Sequence, residues 1–223
     1  MIEHQIVTLE AEPQPVEIDL NRTGVIIVDM QNTFCKKGGG FDLGGRDISR
    51  IPAIYEPIRR VAESARAKKI RVVYIVHRLT ADAREVGPLS RFRSPALRRP
   101  ENRGSGILEG TWGTEIIDEL RPAEDEMVVV KRRFSAFAGT ELDMMLKTFD
   151  IRYLVFTGVA TNICVESSLR DASHLQYLPN IASDCVAASP PERQESTLAN
   201  VREVFGWVTT SDRLLKAFSQ RER

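Results

Sequence analysis

A three-layer α/β/α sandwich around a central, mostly parallel sheet is the fold this sequence predicts. Two observations predict it. Four short, β-branched runs are apolar almost without alternation, as strands covered on both faces must be. Stripes of apolar residues at helical spacing fall between those runs, and strand–helix alternation builds parallel sheets through right-handed crossovers.

The elements follow in order. The first run is Val25-Ile26-Ile27-Val28. A helix follows in which Ile58, Val61, Ala62 and Ala65 share one face, with Pro57 suited to its first turn. The second run is Val72 to Val76. The segment from Leu79 to Gly110 is rich in Arg, Pro and Gly and has no clear period. Loops of that length inside a domain serve as lids or interface segments, or are tolerated surface insertions. The third run, Met127 to Val130, reads as a central parallel strand like the others. A helix over Glu141 to Phe149 then places Leu142, Met145, Leu146 and Phe149 on one stripe, ahead of the fourth run, Tyr153 to Phe156. A further helix starts near Thr161 and turns Val165, Leu169 and Ala172 inward. Weaker strands at Asn180–Ser183 and Gly206–Thr209 flank a helix over Glu192 to Val204. Residues 23–218 are expected to form one domain, with 1–22 as an N-terminal extension. No internal repeat or low-complexity tract interrupts it.

The totals exclude several classes. In 223 residues, 31 Lys and Arg balance 31 Asp and Glu, so the whole chain gives no reason to expect nucleic acid or an anionic membrane as partner. A local cluster does occur at Arg91, Arg93, Arg98, Arg99 and Arg103. Three cysteines, Cys35, Cys164 and Cys185, fit neither a disulfide framework nor a structural zinc site. The first twenty residues are acidic, interrupted by Pro13 and Pro15, and lack a signal peptide's basic start and apolar stretch. No apolar run approaches the roughly 20 residues that span a bilayer. The expectation is a cytoplasmic protein with reduced thiols.

Ligands of open parallel sheets sit beyond the carboxyl ends of the strands. Asp29 closes the first strand, Lys131 the third, and Cys164 follows the fourth. Each residue alone has an ordinary reading: a strand-terminal Asp caps or turns, a Lys is solvated, a Cys packs as a small hydrophobe. Together they bring an acid, a base and a thiol to one rim. Thr161 and Asn162 are both N-cap types, so Cys164 falls in a first helical turn. Backbone N–H groups, the helix dipole and a nearby Lys131 would hold its sulfur as a thiolate, and the same N–H groups could receive an oxyanion. Cys35 lies near Asp29 and could line a pocket, and Cys185 reads as packing. Of His4, His77 and His174, only His77 ends a strand, where a hydrogen-bonded structural role is favoured over contact with the rim. No GxGxxG, P-loop or HExxH pattern is present, and Gly38-Gly39-Gly40 follows no strand, so it is not a phosphate loop.

Three segments carry a resemblance: Val25-Ile-Ile-Val-Asp29-Met-Gln-Asn, Val130-Lys131-Arg-Arg-Phe-Ser, and Thr157-Gly-Val-Ala-Thr-Asn-Ile-Cys164-Val. In this order, over about Thr23 to Phe218, the chain resembles the isochorismatase-like cysteine hydrolase superfamily. Within it the chain is most similar to ureidoacrylate amidohydrolases, on Gly40-Phe-Asp-Leu-Gly, Ser94-Pro-Ala-Leu-Arg, Lys131 to Phe137, Ala160 to Asp171 and Phe205-Gly-Trp-Val. The resemblance implies cleavage of a C–N bond in a small linear ureide or carbamoyl amide. In it Asp29 takes the thiol proton, Lys131 orients Asp29, and Cys164 attacks the carbonyl. A cis peptide before Ala160 aims the N–H groups of Ala160 and Cys164 at the oxyanion. It also implies a homo-oligomer, dimer or tetramer.

Departures from related patterns narrow the reading. Nicotinamidases add an Asp and His pair that binds a metal after the second strand. Here His77-Arg78-Leu79-Thr80 follows, so neither metal nor cofactor is expected. Biuret hydrolases carry a second Lys where this chain has Phe134, and true isochorismatases lack the Cys. Biuret, triuret or an N-carbamoyl amino acid remains an alternative substrate. A non-catalytic oligomeric scaffold of the same fold is an alternative of another class. A redox or flavin domain is disfavoured because Asp29-Met30-Gln31 replaces the phosphate-binding turn. A ureido acid would need a guanidinium for its carboxylate, and Arg78, Arg91, Arg93, Arg132 and Arg133 are candidates. Asn32, Phe34, Phe41, Trp112, Phe134, Phe137 and Asn162 are candidates to line the pocket, though Asn162 also reads as a helix cap.

Overall fold

In a computed structural model of the chain, residues 4–93 and 106–220 are described. Ser94 to Arg98, and with it Arg99 and Arg103, lies outside them, as do the side chains of Arg91 and Arg93. The strands are β1 (Ile6–Leu9), β2 (Val16–Asp19), β3 (Thr23–Val28), β4 (Arg71–His77), β5 (Met127–Lys131), β6 (Tyr153–Val159), β7 (Leu178–Ala187) and β8 (Trp207–Thr209). The α-helices are α1 (Asn32–Cys35), α2 (Gly40–Leu43), α3 (Tyr55–Ala67), α4 (Pro88–Arg93), α5 (Leu142–Thr148), α6 (Glu166–His174), α7 (Pro191–Asn200) and α8 (Ser211–Phe218).

Strands β3 to β8 form one sheet in the order β5-β4-β3-β6-β7-β8, and every neighbouring pair is parallel. The near-continuous apolar runs of β3 and β6 account for their central place, since both faces of each are buried. On one face Ile58, Val61, Ala62 and Ala65 of α3 pack with Leu214, Ala217 and Phe218 of α8 against Val25, Ile27 and Tyr74. On the other, Leu142 and Leu146 of α5 and Leu169 and Ala172 of α6 cover Ile26, Val28, Ile75 and Phe156. Each of these large aliphatic side chains contributes roughly 1.5–3 kcal/mol by leaving water. Among the described residues no helix is long and apolar enough to cross a membrane.

The structure departs from the sequence reading in four places. First, β5 is an edge strand, with Val128 41% exposed. An unbroken apolar run reports burial of side chains, and β5 keeps an apolar sequence while one of its backbone edges is unpaired. Second, the stretch read as an extension contributes the antiparallel pair β1–β2, whose Val7, Leu9, Ile18 and Leu20 belong to the α3/α8 core. Third, the ends of the long 79–110 segment are zipped: Leu79 N–H donates to Ile107 O at 2.8 Å and Leu79 O accepts the Glu109 N–H at 2.8 Å. Fourth, the helices expected from Thr161 and through Val204 contain π-helical turns at Thr161–Val165 and Val201–Phe205.

Candidate active site

The strand order places the switch point between β3 and β6, where the chain leaves in opposite directions along the sheet. Asp29 follows β3 there and takes a left-handed backbone, φ 53°, unusual for a residue with a Cβ. Its N–H donates to Ile75 O at 2.9 Å and its carbonyl accepts the Gln31 N–H at 2.7 Å, which holds the turn. Such conformations persist where surrounding structure enforces them, and they cluster at functional sites.

Beside it β6 ends at a cis Val159–Ala160 peptide, and the π turn carries Cys164. The N–H groups of Ile163 and Val165 donate to Ala160 O at 3.0 and 3.3 Å, while the Cys164 N–H between them does not use that acceptor. Neither Thr161 nor Asn162 caps the helix: the capping position is Ala160, with no side-chain hydrogen bond. Ser168 fixes the turn from within α6, donating its hydroxyl to Cys164 O at 2.6 Å and accepting the Ala136 N–H at 2.8 Å.

Gly158 makes the β3–β6 approach possible. Its φ is +102°, and a Cβ there would lie 2.0 Å from Val28 O. We expect Gly158→Ala to cost more than about 3 kcal/mol, because backbone rather than a flexible side chain would have to move. A thermal melt checks this, and a melting temperature within 2 °C or so of wild type would show the strands can part.

Lys131 comes from β5, two strands from β3. It pairs in register with His77 at the end of β4, and its side chain reaches over that end. Its Nζ lies 2.9 Å from Asp29 Oδ2, 3.3 Å from Cys164 Sγ and 3.1 Å from Arg133 O. Lys131 is 0% exposed, Asp29 1% and Cys164 7%. The structure thus brings together the three residues singled out in the sequence.

Their protonation departs from the expectation of a resting thiolate. Burial first, then the Asp29 carboxylate, pushes the Cys164 thiol well above its ordinary range, with Lys131 pulling the other way. Burial also raises Asp29 despite Lys131. Burial acts to lower Lys131, but Asp29 and Cys164 outweigh it and hold the ammonium above its ordinary value. Burial thus works against both the thiolate and the carboxylate, and the Lys131 ammonium sits against both groups. Apart from the Lys131 ammonium on Oδ2, neither buried Asp29 oxygen has a hydrogen bond of good geometry. A desolvated carboxylate with spare acceptor capacity is a base awaiting a proton.

His77 belongs to the site after all. Its imidazole offers a nitrogen that lies, with one oxygen of Asp29 and the Cys164 sulfur, within 4.8 Å of the other donors. Burial, then Lys131 and Arg133, pushes its pKa well below the ordinary histidine value, so the ring is neutral. These three donors have metal-ligand chemistry, but the Lys131 ammonium already rests against two of them. Gln31, which had no role in the sequence analysis, is fully buried and ties the rim together. Its amide donates to Thr114 O at 2.9 Å and His77 O at 3.2 Å, and accepts the His77 N–H at 2.7 Å.

The remaining candidates divide. Phe34 and Phe41 meet edge-on at 4.8 Å, and Phe34 lies 6.4 Å from the His77 ring, forming a half-buried aromatic wall beside the triad. Asn32 donates to Trp112 O at 3.0 Å, binding α1 to the following strap. Trp112 and Phe134 are exposed, and Asn162 is half-buried on the π turn. Phe137 packs against Tyr177 on the α5/α6 face of the sheet. Arg132 pairs with Glu85 at 2.9 Å, Arg133 donates to Glu85 O at 3.1 Å, and Arg78 faces Glu109 at 3.9 Å. Cys35 is buried in the α3/α8 core, its thiol raised by burial, as is Cys185.

The chain is similar in sequence and fold to known proteins of one family. The family profile described as Isochorismatase domain matches residues 23–213. The chain is 43% identical over 214 residues to a protein of Methylorubrum extorquens named ureidoacrylate amidohydrolase RutB, covering 92% of this chain and 86% of that one. Among solved structures it resembles a cysteine hydrolase from Pseudomonas syringae pv. phaseolicola, with TM-score 0.82, 26% identity and 98% of each chain covered. It also resembles an N-carbamoylsarcosine amidase from Thermoplasma acidophilum, with TM-score 0.67 and 28% identity over 86% of this chain and 97% of the other. The chain belongs to the isochorismatase family of hydrolases.

Proposed function

We propose that this protein is a cysteine-dependent amidohydrolase that cleaves a C–N bond of a small linear ureide or carbamoyl amide. The observation that carries the reading is the contact of one ammonium with both a buried carboxylate and a buried thiol, 2.9 and 3.3 Å from the Lys131 nitrogen. The relatives named ureidoacrylate amidohydrolase and N-carbamoylsarcosine amidase support the substrate class.

The chemistry follows from the charges. As the carbonyl approaches, Asp29 takes the proton of Cys164 and the sulfur attacks carbon. Charge then moves from the carboxylate to the substrate oxygen, where the N–H groups of Ala160 and Cys164 receive it. Lys131 keeps a positive charge beside whichever group is anionic. Protonated Asp29 gives its proton to the leaving nitrogen, the C–N bond breaks, and a carbamoyl or acyl thioester remains on Cys164. Asp29, again ionised, takes a proton from water, which attacks the thioester and restores the thiol. Released carbamate decomposes to ammonia and carbon dioxide.

An ammonia-release panel with ureidoacrylate, biuret, triuret, N-carbamoyl amino acids and nicotinamide tests the substrate class. Hydrolysis of nicotinamide alone would overturn it. Asp29→Asn tests the proton path with two readouts that move in opposite directions. Turnover should fall by about 10²–10⁴, the range of a positioned base. Alkylation of Cys164 by iodoacetamide at neutral pH should become faster. Asp29 holds the thiol pKa up and Lys131 draws it down, so removing the carboxylate lowers that pKa and more thiolate is present at a given pH. Turnover within tenfold of wild type in Asp29→Asn would count against the base assignment.

A further inference from the structure

In the cluster of Asp29, His77 and Cys164 the imidazole is left without a partner. The Lys131 ammonium has three N–H groups, and Asp29 Oδ2, Cys164 Sγ and Arg133 O take them at 2.9, 3.3 and 3.1 Å. None remains for His77, and among the described residues its ring makes no hydrogen bond. Its main chain, by contrast, is pinned. The Gln31 side chain holds both its N–H and its carbonyl, and the residue pairs in register with Lys131 on β5. Phe34 stands 6.4 Å from the ring, at the end of the aromatic wall. The ring is partly open to solvent, unlike Asp29 and Lys131.

The spacing of the cluster defines a place for one small molecule. A His77 nitrogen, an Asp29 oxygen and the Cys164 sulfur lie within 4.8 Å of one another. Three points no farther apart than this all fall within about 2.8 Å of a common centre (4.8 Å divided by √3), which is hydrogen-bond distance. The ammonium contacts two corners of this triangle and is not bonded to the third. Water matches the pattern that remains. One of its hydrogens suits the carboxylate, and the other suits the lone pair of a neutral imidazole. Burial, then Lys131 and Arg133, keeps that ring neutral. With both hydrogens held, the water turns its own lone pairs toward whatever the sulfur carries.

Taking Cys164 as the nucleophile of the proposed function, we propose that His77 is a further catalytic residue, which holds the water that hydrolyses the thioester. A water held by Asp29 alone turns freely about that one hydrogen bond, whereas two acceptors fix it. Its oxygen adds to the thioester carbon as Asp29 takes one of its protons. The second proton stays on the water oxygen, bonded to His77, so the imidazole neither gains nor loses charge. The tetrahedral intermediate then collapses, the C–S bond breaks, and the sulfur takes the proton back from Asp29 to become the thiol. In the first half of the reaction the sulfur itself attacks, so His77 has no water to hold there.

The test is steady-state kinetics and intact mass of the full-length wild type and His77→Ala, with the ureide of the ammonia-release panel that wild type turns over fastest. The substitution leaves the main-chain bonds to Gln31 and Lys131 in place. In His77→Ala, kcat and KM should fall together by about 10²-fold, with kcat/KM within about threefold of wild type, because only release from the sulfur is slowed. Protein quenched during turnover should carry the acyl or carbamoyl mass on Cys164. Hydroxylamine, a nucleophile that needs no base to activate it, should take that group from the sulfur, regenerate the thiol and restore turnover. His77→Gln keeps a donor and an acceptor and should recover part of kcat. It carries the test if His77→Ala does not fold, with kcat still at least about threefold below wild type and the adduct still seen. An unchanged kcat, or a fall in kcat/KM as large as the fall in kcat with no adduct, overturns the proposal. Wild type that releases no ammonia from any ureide of the panel fails the Cys164 reading itself. That failure is seen without any His77 variant, and the proposal falls with it.

Discussion

Cys164→Ala should reduce turnover by about 10³-fold or more, the scale on which removal of a covalent nucleophile acts, and should leave the fold intact. No other group at the rim can replace the sulfur. Cys35 and Cys185 are buried with thiols raised by their surroundings, and His77 is a neutral ring whose pKa is pushed down. The substitution removes one buried sulfur that donates to no neutral partner, so the stability cost is about 1 kcal/mol, set by a small cavity. Cys164 also helps raise Lys131, but Asp29 remains to pair with the ammonium. Single-turnover ammonia release, a thermal melt and intact mass after mixing with a slow substrate check all three parts. Wild type should show an added carbamoyl or acyl mass and the variant none. Turnover within tenfold of wild type in the variant would mean the sulfur does not form the intermediate.

The site was legible in the sequence to the extent that it lies on strand ends. Asp29, Lys131 and Cys164 each follow an apolar run whose burial could be read residue by residue, and parallel sheets expose those ends on one rim. The strand order was not legible, because an apolar run of five residues reads the same at a sheet's centre and its edge. Lys131 therefore could be placed on the rim but not seen to span the end of β4 to reach Asp29. The charge state of Cys164 was misread for a related reason. Helix position and a neighbouring ammonium are visible in sequence, whereas the burial that outweighs them belongs to the assembled core. Gln31 was visible as a motif member, yet its role depends on carbonyls at positions 77 and 114, far away in the chain.

Lys131→Met separates the stability of the site from its chemistry. Methionine matches the unbranched stem but removes a fully buried ammonium, leaving the Asp29 carboxylate without its counter-ion. Breaking a buried pair from one side typically costs about 3–5 kcal/mol. Burial already raises the Asp29 pKa from its ordinary 3.8, and losing Lys131 removes the charge that opposes the rise. The sign with pH follows. Below about pH 4, Asp29 is protonated in both folded and unfolded chains and the variant approaches wild type. Above that, the unfolded carboxylate ionises while the folded one keeps its proton, so the deficit grows with pH until it passes the raised folded pKa and levels off. Adding Asp29→Asn to Lys131→Met removes the orphaned charge and should restore most of the stability, while turnover stays lost in both. Urea unfolding of wild type and of the two variants between pH 4 and pH 8 measures this. A Lys131→Met deficit that is independent of pH, or one that Asp29→Asn does not relieve, would place the cost in packing and leave Asp29 and Lys131 uncoupled.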